Sequence, residues 1–193
     1  MYHGTTHPPR GPTVKLTLLL LAAGAVVAAT AHRHPTANRS DPSDPGVHVR
    51  NQFSFTLHAA AAAVFPLFGA DRERLWTTGW APSFLYPDPP RDSLGMVFTI
   101  AHGQTRSVWV NTAFDPATGR VQYVYVIPDA LATLIDIQVT ARDSATTDVT
   151  VSYERTALSP DANDHVRALG DHDAGQGPEW QAAITDYLKQ RAQ

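Results

Sequence analysis

The sequence contains no cysteine. Disulfide bonds, thiolate zinc sites, cysteine nucleophiles and cysteine-linked lipid anchors are therefore excluded, so the core alone must stabilise the fold. The chain also lacks an excess of basic residues: 15 Lys and Arg stand against 18 Asp and Glu, a net charge of −3 at pH 7. A mildly acidic chain without a basic cluster is a poor match for nucleic acid or for an anionic membrane surface, and we predict no nucleic-acid partner.

Sequence motifs of common catalytic and cofactor chemistry are missing as well. The chain has no GxSxG nucleophile elbow, no HExxH zinc pair, no P-loop and no GxGxxG dinucleotide turn. Its carboxylates form no dense cluster, and Asp71 and Glu73 have the positions of charges at a helix start. The sequence therefore predicts no catalytic residue, no metal site and no cofactor. An enzyme in which a Tyr or Arg polarises a substrate oxygen would leave no motif, and this class stays an alternative.

One long apolar run is present at residues 16–31, with Lys15 before it and an Ala-Thr-Ala triplet at its end. This is the layout of a secretory signal peptide. The run is shorter than the roughly 20 residues of a membrane-spanning helix, which favours cleavage near His32 over retention. We predict a signal peptide over residues 1–31 and an exported protein, periplasmic or extracellular. The alternative is a membrane anchor formed by residues 16–31.

The remainder of the chain divides into a short linker and one domain. Residues 32–46 are polar, contain three prolines and show no periodicity, which predicts a flexible linker. Residues 47–193 have the length of one ordinary domain with a single hydrophobic core.

Alternation of apolar and polar residues predicts a sheet. Residues 47–59 alternate with period two, as in a half-buried strand. Five more strands are predicted after Gly95, at residues 96–101, 106–114, 120–127, 134–141 and 148–156. Short links join them, and the link at residues 115–119 has Pro and Gly at favoured turn positions. Hairpin links of this kind indicate an antiparallel sheet.

Helical segments are predicted on both sides of the strand series. Two short helices, at residues 59–68 and 71–76, follow the first strand, and a proline-rich loop with several aromatic residues occupies 80–95. After a short helix at 159–169 and a flexible break at 170–177, an amphipathic helix begins at Pro178. Its apolar face consists of Trp180, Ala183, Ile184, Tyr187 and Leu188.

Three segments carry a family resemblance. They are VFPLFGADRERLWTTGWAP with the following Tyr86-Pro87, then RSVWVNTAFDPATGRVQYVYV, and last VTVSYERTALSP followed by EWQAAITDYL. In these segments, and in its order of predicted elements, the sequence resembles the SRPBCC superfamily, which groups START-type lipid-binding domains with polyketide cyclase-like proteins. The resemblance implies an α+β helix-grip fold, in which a curved antiparallel sheet wraps around the C-terminal helix and encloses an apolar cavity.

An apolar cavity with a few placed polar groups suits a small hydrophobic ligand with one polar end. Strand alternation gives the sheet interior several phenol hydroxyls, whereas the strand with Trp109 has valines on its other face, so two orientations remain for it. The predicted ligand-binding residues are Trp80, Tyr86, Trp109, Asn111, Tyr123, Tyr125 and Tyr153.

We therefore predict an exported protein that binds a hydrophobic small molecule or lipid in an internal cavity. One alternative is a cyclase- or isomerase-type enzyme using the same cavity, with candidates among Asn111 and the tyrosines of the strands. The other is an interaction module for an envelope protein that uses the aromatic loop 80–95. An enclosed cavity favours the first two, and a filled core with Trp80 and Tyr86 outside favours the third.

Overall fold

The structure is a computed structural model that describes residues 46–191. The predicted signal peptide and the predicted linker, apart from Gly46, lie outside the described residues. One antiparallel sheet with strand order β1-β7-β6-β5-β4-β3-β2 forms the body of the protein. Its strands are β1 (His48–Leu57), β2 (Ser83–Tyr86), β3 (Val97–His102), β4 (Thr105–Asp115), β5 (Arg120–Ile127), β6 (Leu131–Ala141) and β7 (Thr147–Ala157).

Helices cover one face of this sheet. The segment between β1 and β2 forms α1 (Ala61–Val64), which continues into a 3-10 turn (Phe65–Phe68), and a second 3-10 turn (Arg72–Leu75). After β7 come a 3-10 turn (Pro160–Ala162), α2 (Asn163–Asp173) and α3 (Gly177–Arg191). The predicted α+β architecture, with two short helices after the first strand and a C-terminal helix on a curved sheet, is confirmed. Within the described residues, no helix is both long and apolar enough to span a membrane.

The core lies between the concave face of the sheet and the helices. Period-two alternation decides which strand residues enter it: Tyr123 and Tyr125 of β5 are buried, while Val124 between them is half-buried on the outer face. Helix α3 adds Trp180, whose ring centroid lies 5.4 Å from that of Phe53 on β1. Ile184, one turn further along α3, is fully buried. The predicted apolar face of the last helix therefore packs on the sheet.

Two segments differ from their sequence-based expectation. Residues 80–95 are not entirely a loop, because β2 forms within them and pairs with β3. Helix α2 extends to Asp173, well into the predicted flexible break at 170–177. Gly170 serves close packing there, since a Cβ would lie 3.1 Å from Val49 Cγ2 on β1. The glycine that indicated flexibility in the sequence instead lets α2 approach the sheet.

Candidate functional site

Two adjacent rows of side chains, most of them polar or aromatic, cross the concave face from β4 to β7. Strand register defines both rows. The Asn111 row consists of Asn111, Tyr123, Ile135 and Tyr153, and the Arg155 row consists of Trp109, Tyr125, Thr133 and Arg155. All eight side chains are buried. These two rows are the candidate site, because they bring polar atoms into an otherwise apolar core.

Arg155 of β7 forms a buried ion pair with Asp173 of α2. The Arg155 Nε donates to Asp173 Oδ2 at 2.6 Å and Nη2 donates to Oδ1 at 2.8 Å, and both side chains are at most 3% exposed. The Nη1 atom donates to the Tyr125 hydroxyl and to Thr133 Oγ1. Burial acts to lower the pKa of Arg155, but the hydrogen bonds and charge of Asp173 outweigh it and raise the pKa. Arg155 thus stays charged beside Asp173, and the paired hydrogen bonds tie α2 to the sheet.

Asn111 of β4 has a fully buried side-chain amide without a partner. Its Oδ1 and Nδ2 atoms both lack a hydrogen bond to any described residue. A buried amide left unpaired costs about 1 to 3 kcal/mol, so native structures rarely keep one without a reason. The amide offers an acceptor and a donor side by side, which is the complement of a ligand group that carries both.

A buried carboxyl group lies within electrostatic reach of the Asn111 row. Glu73, in the second 3-10 turn, is only 6% exposed, and burial followed by the nearby charge of Asp92 raises its pKa. Burial, then Glu73 and Asp92, raises the pKa of Tyr123. Burial is also the main cause of the raised pKa of Tyr153, and Glu73 adds to it. Tyr123 joins the row to the helical segment by donating to Phe68 O at 2.9 Å.

A cleft of about 500 Å³ opens at one end of the concave face. It lies between α1 with its 3-10 turn and the β4–β5 turn, and the end of β6 lines its third side. Its lining residues are Ala61, Ala62, Phe65, Pro66, Pro116, Ala117, Thr118, Gly119, Gln138, Val139, Thr140 and Ala141. Along β6, Val139 in the cleft and Ile135 in the Asn111 row are four residues apart, or roughly 13 Å. The cleft is mostly apolar and lies on the same sheet face as the row.

Solved structures of the same architecture superpose on this chain. Norcoclaurine synthase from Thalictrum flavum matches with a TM-score of 0.56 at 11% identity, over 84% of this chain and 98% of that chain. Mll3558 from Rhizobium loti matches with 0.52 at 18% identity, over 74% and 98%. Ara h 8.0201 matches with 0.54 at 15% identity, over 75% and 99%. No family model and no curated protein matches the sequence.

The chain has the helix-grip fold. These neighbours are helix-grip proteins of the SRPBCC, or Bet v 1-like, superfamily, so the predicted resemblance is confirmed for the fold. Because the sequence identities are low, these similarities show the shared architecture and no particular chemistry. Norcoclaurine synthase has also been solved in complex with dopamine and hydroxybenzaldehyde.

The helix-grip interior brings together six of the seven predicted ligand-binding residues. Trp80 is buried, donates from Nε1 to Ala70 O at 2.7 Å, and places its ring 5.4 Å from that of Trp109. The rings of Trp109 and Tyr125 stack with centroids 4.1 Å apart. Tyr86 lies elsewhere: it is 61% exposed on the edge strand β2. The Trp80 side of the interior is thus filled by aromatic packing, and the unpaired amide of Asn111 lies on the other side.

Three buried charged residues of this helix-grip interior were missed by sequence reasoning: Arg155, Asp173 and Glu73. Strand alternation could have found Arg155, which follows Tyr153 by two residues and so shares its face. Asp173 fell in the predicted break, and Glu73 was interpreted as a charge at a helix start. Within residues 46–191, no group of three or more His, Asp or Glu side chains is placed to hold a metal ion.

Glu73→Gln is expected to stabilise the protein increasingly as pH rises. The folded protein holds the Glu73 proton more tightly than the unfolded chain, because burial raises the pKa of Glu73. Below about pH 4 both states are protonated and the two proteins differ little. Above it the unfolded chain loses the proton first, so the wild type loses stability with rising pH while the Gln variant does not.

Urea unfolding of both proteins between pH 4 and pH 9 measures this difference. Burial also raises the pKa of Asp92. Asp92 is present in both proteins, so its own contribution to the pH dependence of stability is common to them. The matched control is Glu179→Gln, since Glu179 is exposed on α3. A stability difference for Glu73→Gln that stays constant across this pH range would contradict the buried, proton-holding carboxyl.

Proposed function

We propose that this protein binds a small hydrophobic molecule, with its apolar body against the aromatic interior and one polar group at Asn111. We further propose that it does so outside the cytoplasm, because residues 16–31 have the pattern of a signal peptide. The interior and the adjoining cleft support binding of an apolar body. The apolar character of residues 16–31 supports export.

The unpaired amide of Asn111 is the observation that carries the binding proposal. Among the other polar side chains of the two rows, Tyr123 donates to Phe68 O, and Tyr125 and Thr133 accept hydrogen bonds from Arg155. Asn111 alone of the row has a fully buried side chain in which both polar atoms lack a described partner. A ligand that hydrogen-bonds to this amide would remove the cost of burying it unpaired.

The cleft offers a place for the apolar part of such a ligand. Its volume of about 500 Å³ falls within the range of small-molecule sites. Phe65 lines the cleft and packs on Phe114 at 4.9 Å between ring centroids, which places an aromatic pair between the cleft and the row. Complexes of norcoclaurine synthase with dopamine and hydroxybenzaldehyde are consistent with small aromatic molecules as ligands of this fold.

Native mass spectrometry of the protein purified from its own host tests both parts of the proposal. We expect a co-purified apolar molecule that is released on denaturation, and a chain mass that corresponds to cleavage near His32. The full mass in the membrane fraction would instead indicate an anchor at residues 16–31, and the full mass in the cytosol would contradict export. Chemical conversion of a bound compound would favour the cyclase- or isomerase-type alternative.

Asn111→Leu separates a ligand contact from a packing role. Loss of one neutral hydrogen bond should weaken binding of the recovered ligand by roughly 2- to 10-fold. The unliganded variant should be at least as stable as the wild type, because no protein hydrogen bond is lost. The control is Thr112→Val, the next residue of β4 on its opposite face, which should leave affinity unchanged. If no apolar molecule binds either protein, the interaction-module alternative is favoured, with Leu85 and Tyr86 exposed on β2.

A further inference from the structure

The charged groups of the interior restrict which polar group a ligand can bring to Asn111. Among the Arg and Lys side chains of residues 46–191, Arg155 alone is buried and the others are exposed. Arg155 is already engaged: Asp173 accepts two of its hydrogen bonds, and Tyr125 and Thr133 accept two more. The described interior therefore has no free cation that could neutralise an incoming anion.

Two acidic residues, Glu73 and Asp92, lie within electrostatic reach of the Asn111 row. Tyr123 connects these acidic residues with the row. It is paired with Asn111 in the β4–β5 register and lies within electrostatic reach of both Glu73 and Asp92. Glu73 also acts on Tyr153 at the other end of the row. A carboxylate or phosphate brought to this row would lose its hydration and would find no compensating positive charge there.

An ammonium group is also disfavoured. A cation paired with Glu73 would require two charges to be desolvated in the core, and such pairs recover that cost only with additional hydrogen bonds. The Asn111 amide is suited instead to an uncharged group that presents a donor and an acceptor together, such as a carboxamide, a lactam or a hydroxyketone.

We propose that the site selects hydrophobic ligands whose polar end is an uncharged donor–acceptor group, and that it excludes fatty-acid and other carboxylate ligands. This inference rests on the proposed binding function and narrows its ligand class. Selectivity arises here by exclusion, because Asp173 withholds Arg155 from the ligand and no other buried cation of residues 46–191 could balance an anion.

Three naphthalene derivatives of equal ring size test the inference at pH 7.5 with the full chain: 2-naphthamide, 2-naphthoate and 2-naphthylmethylamine. Binding is measured by isothermal titration calorimetry. We expect 2-naphthamide to bind at least about tenfold more tightly than 2-naphthoate, the ratio that corresponds to about 1.4 kcal/mol. Tighter binding of the naphthoate or of the amine than of the amide overturns the inference while the binding function stands. Failure of all three to bind counts against the proposed function itself.

Two variants show whether the selectivity belongs to this site. Asn111→Leu should weaken the binding of 2-naphthamide by roughly 2- to 10-fold and leave the binding of 2-naphthoate unchanged. The ratio of the two affinities should therefore become smaller. Thr112→Val, on the outer face of the same strand, is the matched control and should leave the affinity for both compounds unchanged. An amide-to-carboxylate affinity ratio that Asn111→Leu does not change overturns the assignment to the Asn111 row.

Discussion

Asp173→Ala is expected to lower the free energy of unfolding by about 3 to 5 kcal/mol, the usual effect of removing one partner of a buried ion pair. The loss is large because Arg155 would keep its charge in the core, where it is 3% exposed, without the carboxylate that accepts two of its hydrogen bonds. The substitution also removes the hydrogen bonds that hold α2 against β7. Equilibrium urea unfolding, followed by tryptophan fluorescence, measures the change.

Two further variants separate this effect from general damage to α2. Asp164→Ala removes the partner of Arg167 on the same helix, but those side chains are 98% and 57% exposed, so a loss below about 1 kcal/mol is expected. The double variant Arg155→Met with Asp173→Leu removes both charges and should be more stable than Asp173→Ala alone. If Asp173→Ala lost no more stability than Asp164→Ala, the buried pair would not hold α2 on the sheet.

Ile184→Ala is expected to lower the free energy of unfolding by about 2 to 5 kcal/mol. Ile184 is fully buried. It lies beside Trp180 on the face of α3 that packs on the sheet. Removal of its side chain leaves a cavity between helix and sheet, which adds to the lost burial of apolar surface. Thermal and urea unfolding of the variant give the size of the loss.

Leu158→Ala is the matched control for that variant. It removes an aliphatic side chain of similar size from a position that is 48% exposed, and a change within about 0.5 kcal/mol is expected for a surface residue. Equal losses for the two variants would mean that α3 is not part of the cooperative core. The packing of the predicted apolar face of α3 on the sheet would then contribute little to stability.

Strand alternation predicted much of the interior correctly and left one strand undecided. On β5, Tyr123 and Tyr125 alternate with less buried residues, so one orientation buries the aromatic rings and the sequence alone favours it. On β4, Val108 and Val110 are also apolar, so both faces could face the core. The structure orients Trp109 and Asn111 inward and leaves Val108 39% exposed. Pairing with β3 and β5, which lies outside the local sequence, decides between the two orientations.

Buried charges were beyond sequence reasoning for a related reason. A charged residue is expected at the surface, because burying an unpaired charge is costly. Arg155 is buried since Asp173, which is 18 residues away along the chain, meets it in space. The carboxylate lies at the end of α2, in a segment whose glycines predicted a break. Nothing in the sequence around Arg155 or Asp173 indicates that the two residues pair.

Local periodicity along the chain, by itself, predicted six of the seven strands, their antiparallel links and the amphipathic last helix, because each strand and helix is specified by residues within a few positions of one another. The helix-grip arrangement of these elements came from the family resemblance. Only the tertiary structure decided the polar interior. Asn111, Glu73 and the Arg155–Asp173 pair come from β4, a 3-10 turn, β7 and α2, and their burial depends on how those elements pack. Whether a polar atom finds a partner is a property of that packing, because its hydrogen-bonding neighbours come from distant parts of the sequence.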